Sequence, residues 1–184
     1  MKPNNKVAIT SPKLITEGHW GEIAWQFLVD PTLPDVNLCT AAFCIVVFKG
    51  NLVLVDQKHR GFELPGGHSN PDEPLDVTVK REVLEEVGAV ITQPQYFGYK
   101  KVLPVTPIPH RDKANEYYPF PVSYIPYFFA EAEKLLDSVE LAPDVNGRRL
   151  ASLSEARGLL APDHHHEKII EYLDEIGAII VNRD

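Results

Sequence analysis

The chain reads as an α/β protein, and three observations predict that class. Apolar, β-rich runs at 40–48 and 52–56 flank a turn signal at Gly50 and Asn51. Leu75–Val87 contains no Gly or Pro and repeats valine every four residues, as an amphipathic helix does. Further strand-like runs and two short helical stretches follow, so strands and helices are interleaved along the chain.

Residues 1–38 are a polar lead-in containing Trp20, Trp25 and Phe27. Within it, 17–21 reads as a turn and 22–29 as a short strand or helix. We take 1–38 as an N-terminal extension that packs on the core and 39–184 as the main domain. The tryptophans are expected to pack against that core or a second subunit, with stacking on a base as the alternative. After the first two strands come Lys58, His59 and Arg60. This trio either holds phosphate oxygens, Arg60 foremost, or is a solvated strand end.

Beyond the helix, Ala89–Ile91 and 95–102 read as strands. Residues 103–126 carry six prolines, which forbid a helix and restrict strand pairing. Long irregular segments in compact domains often carry function. Here Arg111 and Tyr118 are the candidates for reading a substrate. A proline-stiffened surface loop or dimer contact is the alternative. Residues 121–130 then read as a strand entering the core. Ser152 and Glu155 fit a capping box for a helix over 154–160. Ile169, Ile170, Leu173 and Ile176 form the stripe of a last helix over 167–176. The cluster Asp163, His164, His165, His166, Glu167 reads as a polar helix start in preference to a metal trap.

The densest information lies in 64–89. Gly67, Glu73, Arg81, Glu82, Glu85, Glu86 and Gly88 stand at G-x5-E-x7-R-E-U-x-E-E-x-G-U spacing, U being aliphatic and the last U occupied by Ala89. Seven fixed positions match by chance at about one starting point in 10⁸. Pro74 suits the first helical position, and Gly88 suits a left-handed helix end. Val79, Val83 and Val87, with Leu84 beside them, form a stripe that docks on a sheet. Glu82, Glu85 and Glu86 share another face, where their repulsion is relieved by a hard divalent cation such as Mg²⁺ or Mn²⁺. Taken alone, the same three residues also fit a solvated acidic face. The glycine pair Gly66 and Gly67 permits a tight turn and close approach of backbone to a ligand.

This spacing closely resembles that of the Nudix hydrolases, over about residues 40–175. The resemblance implies an α/β/α sandwich with a mixed β-sheet. It also implies hydrolysis of a nucleoside diphosphate linked to another group X, by water attack on phosphorus. Glu82, Glu85, Glu86 and the carbonyl of Gly66 would hold Mg²⁺, with Mn²⁺ as a substitute. Arg81, pointing away from Glu85, would pair with Glu73 and brace the loop. Glu82 leads as general base, and Glu116 in the long segment is the alternative.

Composition bounds the partners. The net charge of −8 argues against a stable nucleic-acid complex and against an RNA-end pyrophosphatase. No apolar run reaches membrane-spanning length and no signal-peptide core opens the chain, so a cytoplasmic location without membrane contact is expected. Cys39 and Cys44 are expected to be buried free thiols. No Asn-Thr-Cys-Cys segment of the isomerase branch is present. The expected partner is a small-molecule nucleotide, and a homodimer stays open. A general nucleotide diphosphatase of the MutT/Nudix kind is the leading expectation. Cleavage of ADP-ribose, NADH or a nucleotide sugar comes next: Pro104 stands near a proline of ADP-ribose-cleaving members, and 119–123 resembles part of the NADH motif. A non-catalytic nucleotide sensor is the contrasting class, and the four retained glutamates count against it.

Overall fold

The computed structural model describes residues 11–110, 116–137, 140–160 and 165–182. Among these described residues, ten strands and three α-helices follow in order as β1 (Lys13–Trp20), β2 (Ile23–Val29), β3 (Ala41–Phe48), β4 (Asn51–Gln57), β5 (Gly61–Glu63), β6 (Gly66–His68), α1 (Leu75–Val87), β7 (Ala89–Ile91), β8 (Gln95–Leu103), β9 (Ser123–Leu135), β10 (Val145–Ala151), α2 (Leu153–Leu159) and α3 (His166–Glu175). The sheet order is β1-β2-β8-β9-β3-β4-β10. The β3–β9 pairing is parallel and the others are antiparallel, so the sheet is mixed.

Alternation along the central strands produces two cores. Ala42, Cys44 and Val46 of β3 and Val53 and Val55 of β4 face α1, with Val79, Val83 and Val87 packed among them. Ile45 and Val47, with Leu52 and Leu54, face the other way onto α2 and α3 through Leu153, Ala156, Ile169, Ile170 and Leu173. This is the expected α/β/α sandwich. The three helix valines are fully buried, each contributing about 2 kcal/mol of apolar burial.

One irregularity of the sheet positions the site. The β3–β4 hairpin pairs only at Val47↔Leu52 and Phe48↔Asn51. Farther from the turn, β5 pairs with β4 and β6 with β3. The Gly66-Gly67 backbone is thereby bonded into the sheet beside Ala42 and Phe43, next to α1.

Several sequence expectations need correction. Pro74 is the N-cap, with extended ψ of 143°, and the helix starts at Leu75. Leu84 is 37 % exposed. It lies roughly 100° round the helix from Val83, off the stripe. The turn expected at 17–21 is strand through Trp20, and the chain reverses after it at Gly21 (φ 59°). β2 crosses to β8, so this N-terminal hairpin continues the sheet. β9 runs to Leu135, past the expected end, and accepts Pro126 opposite Tyr99. β10 was not expected, because VNGRRLA lacks apolar alternation; it is held as an edge strand on β4. Its Arg148 Nη1 donates to the carbonyls of Val87 (3.0 Å) and Leu136 (2.8 Å), tying down the end of α1.

The described part of the histidine cluster opens α3, as the helix-start reading expected, although His166 is buried. His165 Nδ1 lies 2.8 Å from Thr16 Oγ1, and His166 is buried with Nε2 3.0 Å from the Tyr127 hydroxyl. Asp163 and His164 lie outside the described residues. Both cysteines are free; Cys44 is buried, whereas Cys39 is only partly so. No helix among the described residues is long and apolar enough to cross a membrane.

Candidate active site

Helix α1 supplies the carboxylates, and its apolar stripe fixes their depth. Glu86 stands three residues beyond Val83 and one before Val87, so it is carried under the sheet edge and is 7 % exposed. Its Oε1 accepts from Gln57 Nε2 (2.6 Å) and its Oε2 from the Gly66 N–H (2.8 Å). Burial, reinforced by the charge of Glu82, pushes the Glu86 carboxyl up to about 7, against the pull of the Gly66 and Gln57 donors. Glu82 is also raised by burial, with Arg81 opposing. Glu85 is half exposed.

Two glycines let backbone and carboxylates meet. At Gly66 (φ 155°) a Cβ would stand 2.4 Å from the Ala42 carbonyl oxygen. At Gly67 a Cβ would stand 2.7 Å from the Glu82 carboxylate. At Gly66 backbone excludes a side chain, and at Gly67 a side chain would displace the Glu82 carboxylate.

Glu73 and Arg81 meet as the family spacing implied. Glu73 accepts from Arg81 Nε (2.9 Å) and Nη2 (2.8 Å), from the Asn70 N–H (3.0 Å) and from Thr78 Oγ1 (2.9 Å). The Arg81 guanidinium holds the Glu73 carboxyl down at about 2. Arg81 Nη2 also donates to the His68 carbonyl (2.9 Å). Contrary to expectation, Arg81 does not point away from Glu85. Its Nη1 reaches Glu82 (2.7 Å) and Glu85 (3.2 Å), because the long side chain spans the i,i+4 step.

The donor set suits a hard divalent cation: three carboxylates on adjoining turns, two with raised affinity for protons, beside a glycine cradle against Glu82. Among the described residues no three such side chains are gathered into a metal shell. Glu82 and Glu85 turn to Arg81, and Glu86 turns to Gln57 and Gly66.

Glu82, Glu86, Gly66 and Gly67 line a cavity of about 400 Å³. Arg60 and Tyr118 line it too, and the Tyr118 hydroxyl lies 2.7 Å from His68 Nε2. Arg60 Nη1 stands 3.5 Å from Glu63. Much of the remaining wall is apolar and aromatic, with Trp20, Ile23, Phe43, Ile125 and Tyr127, and Lys100, Ser123 and Asp144 line it too. Glu116 is not in this cavity. It lines a second one, of about 510 Å³, with Glu73 and His110. Thr40 and Tyr118 line both. Arg111 lies outside the described residues.

Sequence reasoning missed Gln57, His68 and Lys100. Lys100 is fully buried yet lines the first cavity. Its Nζ sits 4.3 Å from the Trp25 ring centroid, 4.8 Å from Trp20 and 6.0 Å from Tyr127. Burial pulls it down to about 7, with Glu63 opposing. Lys100 and Lys101 are consecutive in a central strand, so one of them had to face inward; that was the available signal.

Comparison with known proteins agrees with this geometry. The chain is 41% identical over 56 residues to the "Putative 8-oxo-dGTP diphosphatase YtkD" of Bacillus subtilis (strain 168). That match covers 30% of this chain and 35% of the relative, about a third of its length. Among solved structures, a mutant of the Bacillus subtilis pyrophosphohydrolase BsRppH aligns with TM-score 0.57 and 26% identity, over 73% of this chain and 76% of that one. A NUDIX hydrolase from Nitrosomonas europaea shares the fold with TM-score 0.54 and 17% identity, over 74% and 90%. The model of the NUDIX domain matches residues 39–173, which include the whole glycine, carboxylate and arginine framework just described, and the chain therefore belongs to the Nudix family.

Proposed function

We propose that the chain is a Mg²⁺-dependent pyrophosphohydrolase acting on a nucleoside diphosphate linked to a further group X. One observation carries the reading: Glu82 and Glu86 meet the Gly66-Gly67 turn at the wall of an aromatic-lined cavity. A phosphate chain at the carboxylates leaves room for a flat ring against the aromatic wall. The names of the two Bacillus subtilis relatives, a diphosphatase and a pyrophosphohydrolase, point the same way.

Water attacks one phosphorus and forms a new P–O bond, the anhydride P–O bond breaks, and each product keeps a phosphate oxygen. Glu82, at the cavity wall beside the Gly66-Gly67 turn, takes the proton released by that water. Glu82, Glu85 and Glu86, with the Gly66 carbonyl, would hold Mg²⁺, which when bound supplies charge neutralisation at the phosphates. Arg81 clamps Glu73 and the His68 carbonyl, so the loop cannot drift from the helix. Arg60 offers positive charge to phosphate oxygens from the cavity wall, and Tyr118 lines both cavities. The second cavity favours a related reading. A substrate with a sizeable X, such as a nucleotide sugar or dinucleotide, would occupy both.

The test is product analysis with Mg²⁺ on a panel of nucleoside triphosphates, ADP-ribose, NADH, dinucleoside polyphosphates and nucleotide sugars. Turnover of one class that disappears in Glu86→Gln is expected. Silence across the panel from a folded, metal-binding protein sinks the proposal and favours the sensor.

A further inference from the structure

Glu86 is held by a buried amide that takes no direct part in hydrolysis. We propose that Gln57 is a positioning residue that orients Glu86 as a cation ligand without cancelling its charge. The inference rests on the reading of the carboxylates as a metal site.

Three observations carry it. First, the strand pattern puts an amide where an apolar residue would continue the core. Val53 and Val55 pack toward α1, and the two-residue repeat of β4 sends Gln57 to the same side. Its backbone is pinned from both edges, opposite Gly61 of β5 and Val145 of β10. The residue is 4 % exposed, so an amide there is costly without a partner. Second, Gln57 Nε2 donates to Glu86 Oε1 at 2.6 Å, and the Gly66 N–H donates to Oε2 at 2.8 Å. Donors from β4 and β6 thus grip a carboxylate from α1, one on each oxygen. An ionised carboxylate has about four accepting sites, so both oxygens keep capacity for a cation.

Third, both donors are neutral. A lysine or arginine at position 57 would supply the same bond together with a positive charge, and that charge would compete with a metal ion for Glu86. Glu73 is the opposite case: the Arg81 guanidinium grips it, and the pair serves the loop brace. An amide and a peptide N–H fix the direction of Glu86 and leave its negative charge to attract a cation.

Mg²⁺ binding to the metal-free protein is measured by calorimetry and by the Mg²⁺-induced rise in Tm, with turnover followed against Mg²⁺ concentration. Gln57→Met keeps the length of the side chain and removes the donor. We expect it to weaken Mg²⁺ binding about 10–100-fold and to raise the Mg²⁺ needed for half-maximal turnover by a similar factor. In a Glu86→Gln background the same change should cause no further loss, because the amide acts only through that carboxylate. Val55→Ala, in the same row of β4, removes core packing; it should lower Tm and leave Mg²⁺ affinity unchanged. Should Gln57→Met not fold, Gln57→Lys serves: its ammonium should pair with Glu86, keep the metal-free Tm and still weaken Mg²⁺ binding at least tenfold, roughly as far as Gln57→Met. No Mg²⁺ binding in the wild type, an affinity within about twofold of wild type in a folded Gln57 variant, or an equal loss in Val55→Ala overturns the proposal. A further loss of the same size in the Glu86→Gln background does so too. Unchanged Mg²⁺ affinity with turnover intact sinks this inference and leaves the enzyme reading standing. Mg²⁺ binding that depends on Gln57, without hydrolysis of any nucleotide, does the reverse.

Discussion

Glu73→Gln tests whether the loop–helix brace holds the site together. Glu73 accepts two bonds from Arg81, at 2.9 and 2.8 Å, two from Asn70 (backbone N–H and Nδ2) and one from Thr78. Lowering the carboxyl from the ordinary glutamate range to about 2 corresponds to about 3 kcal/mol if all of it appears as stability. The pair is not sealed, since the Arg81 and Glu73 side chains are 24% and 11% exposed, and water screens part of the attraction. We therefore expect a loss of about 2 kcal/mol at neutral pH, or about 4–8 °C in Tm for a chain of this size. The folded value is depressed, so the contribution is present above the unfolded value of about 4.3 and is lost as pH falls through about 2. The Tm gap between wild type and variant should thus narrow by more than half between about pH 7 and pH 3. Freed from Glu73, Arg81 is left to Glu82 and Glu85, and turnover should fall at least about tenfold by misplacement of the carboxylates. Thermal unfolding across that pH range, with turnover at neutral pH, is the assay. A gap under about 1 °C at neutral pH, or one that does not narrow in acid while both proteins remain folded, refutes the reasoning.

The two glycines should separate stability from activity. Gly67→Ala pushes on the Glu82 carboxylate, so turnover should drop about a hundredfold with little change in Tm. Gly66→Ala meets the Ala42 carbonyl and a strained φ, so it should lose about 2 kcal/mol or more in denaturant unfolding. Equal effects of the two variants on both readouts would count against the cradle. Millimolar Mg²⁺ or Mn²⁺ should raise Tm by several degrees in the wild type and by little in Glu86→Gln; an equal rise in both removes Glu86 from the metal set. With a chelator present, Glu86, raised to about 7, should stabilise fully below about pH 4.3 and lose that contribution as pH rises through about 7. Glu86→Gln should flatten this fall in a pH series of Tm values, and an unchanged slope would assign it elsewhere.

The amino-acid sequence by itself determined the parts of this protein that depend on neighbours along the chain. The α1 stripe, the Gly88 helix end, the Ser152 capping box and the spacing of Glu73 from Arg81 are local consequences of the helical repeat and of glycine's freedom. Family spacing supplied the carboxylate framework for the same reason. Tertiary structure decided what depends on distant segments. Glu82, Glu85 and Glu86 are equivalent by pattern, yet Glu86 alone is buried, because Gln57 and the Gly66 N–H arrive from β4 and β6 to receive it. Glu116 was a candidate base by its place in a proline-rich segment, and the path of that segment puts it in the second cavity. Lys100 and Lys101 are interchangeable in sequence. The pairing of β8 between β2 and β9 turned Lys100 inward, and the N-terminal hairpin brought Trp20 and Trp25 around it. Helical periodicity is written into consecutive residues. The facing of a strand and the depth of a charge are settled only when the sheet assembles.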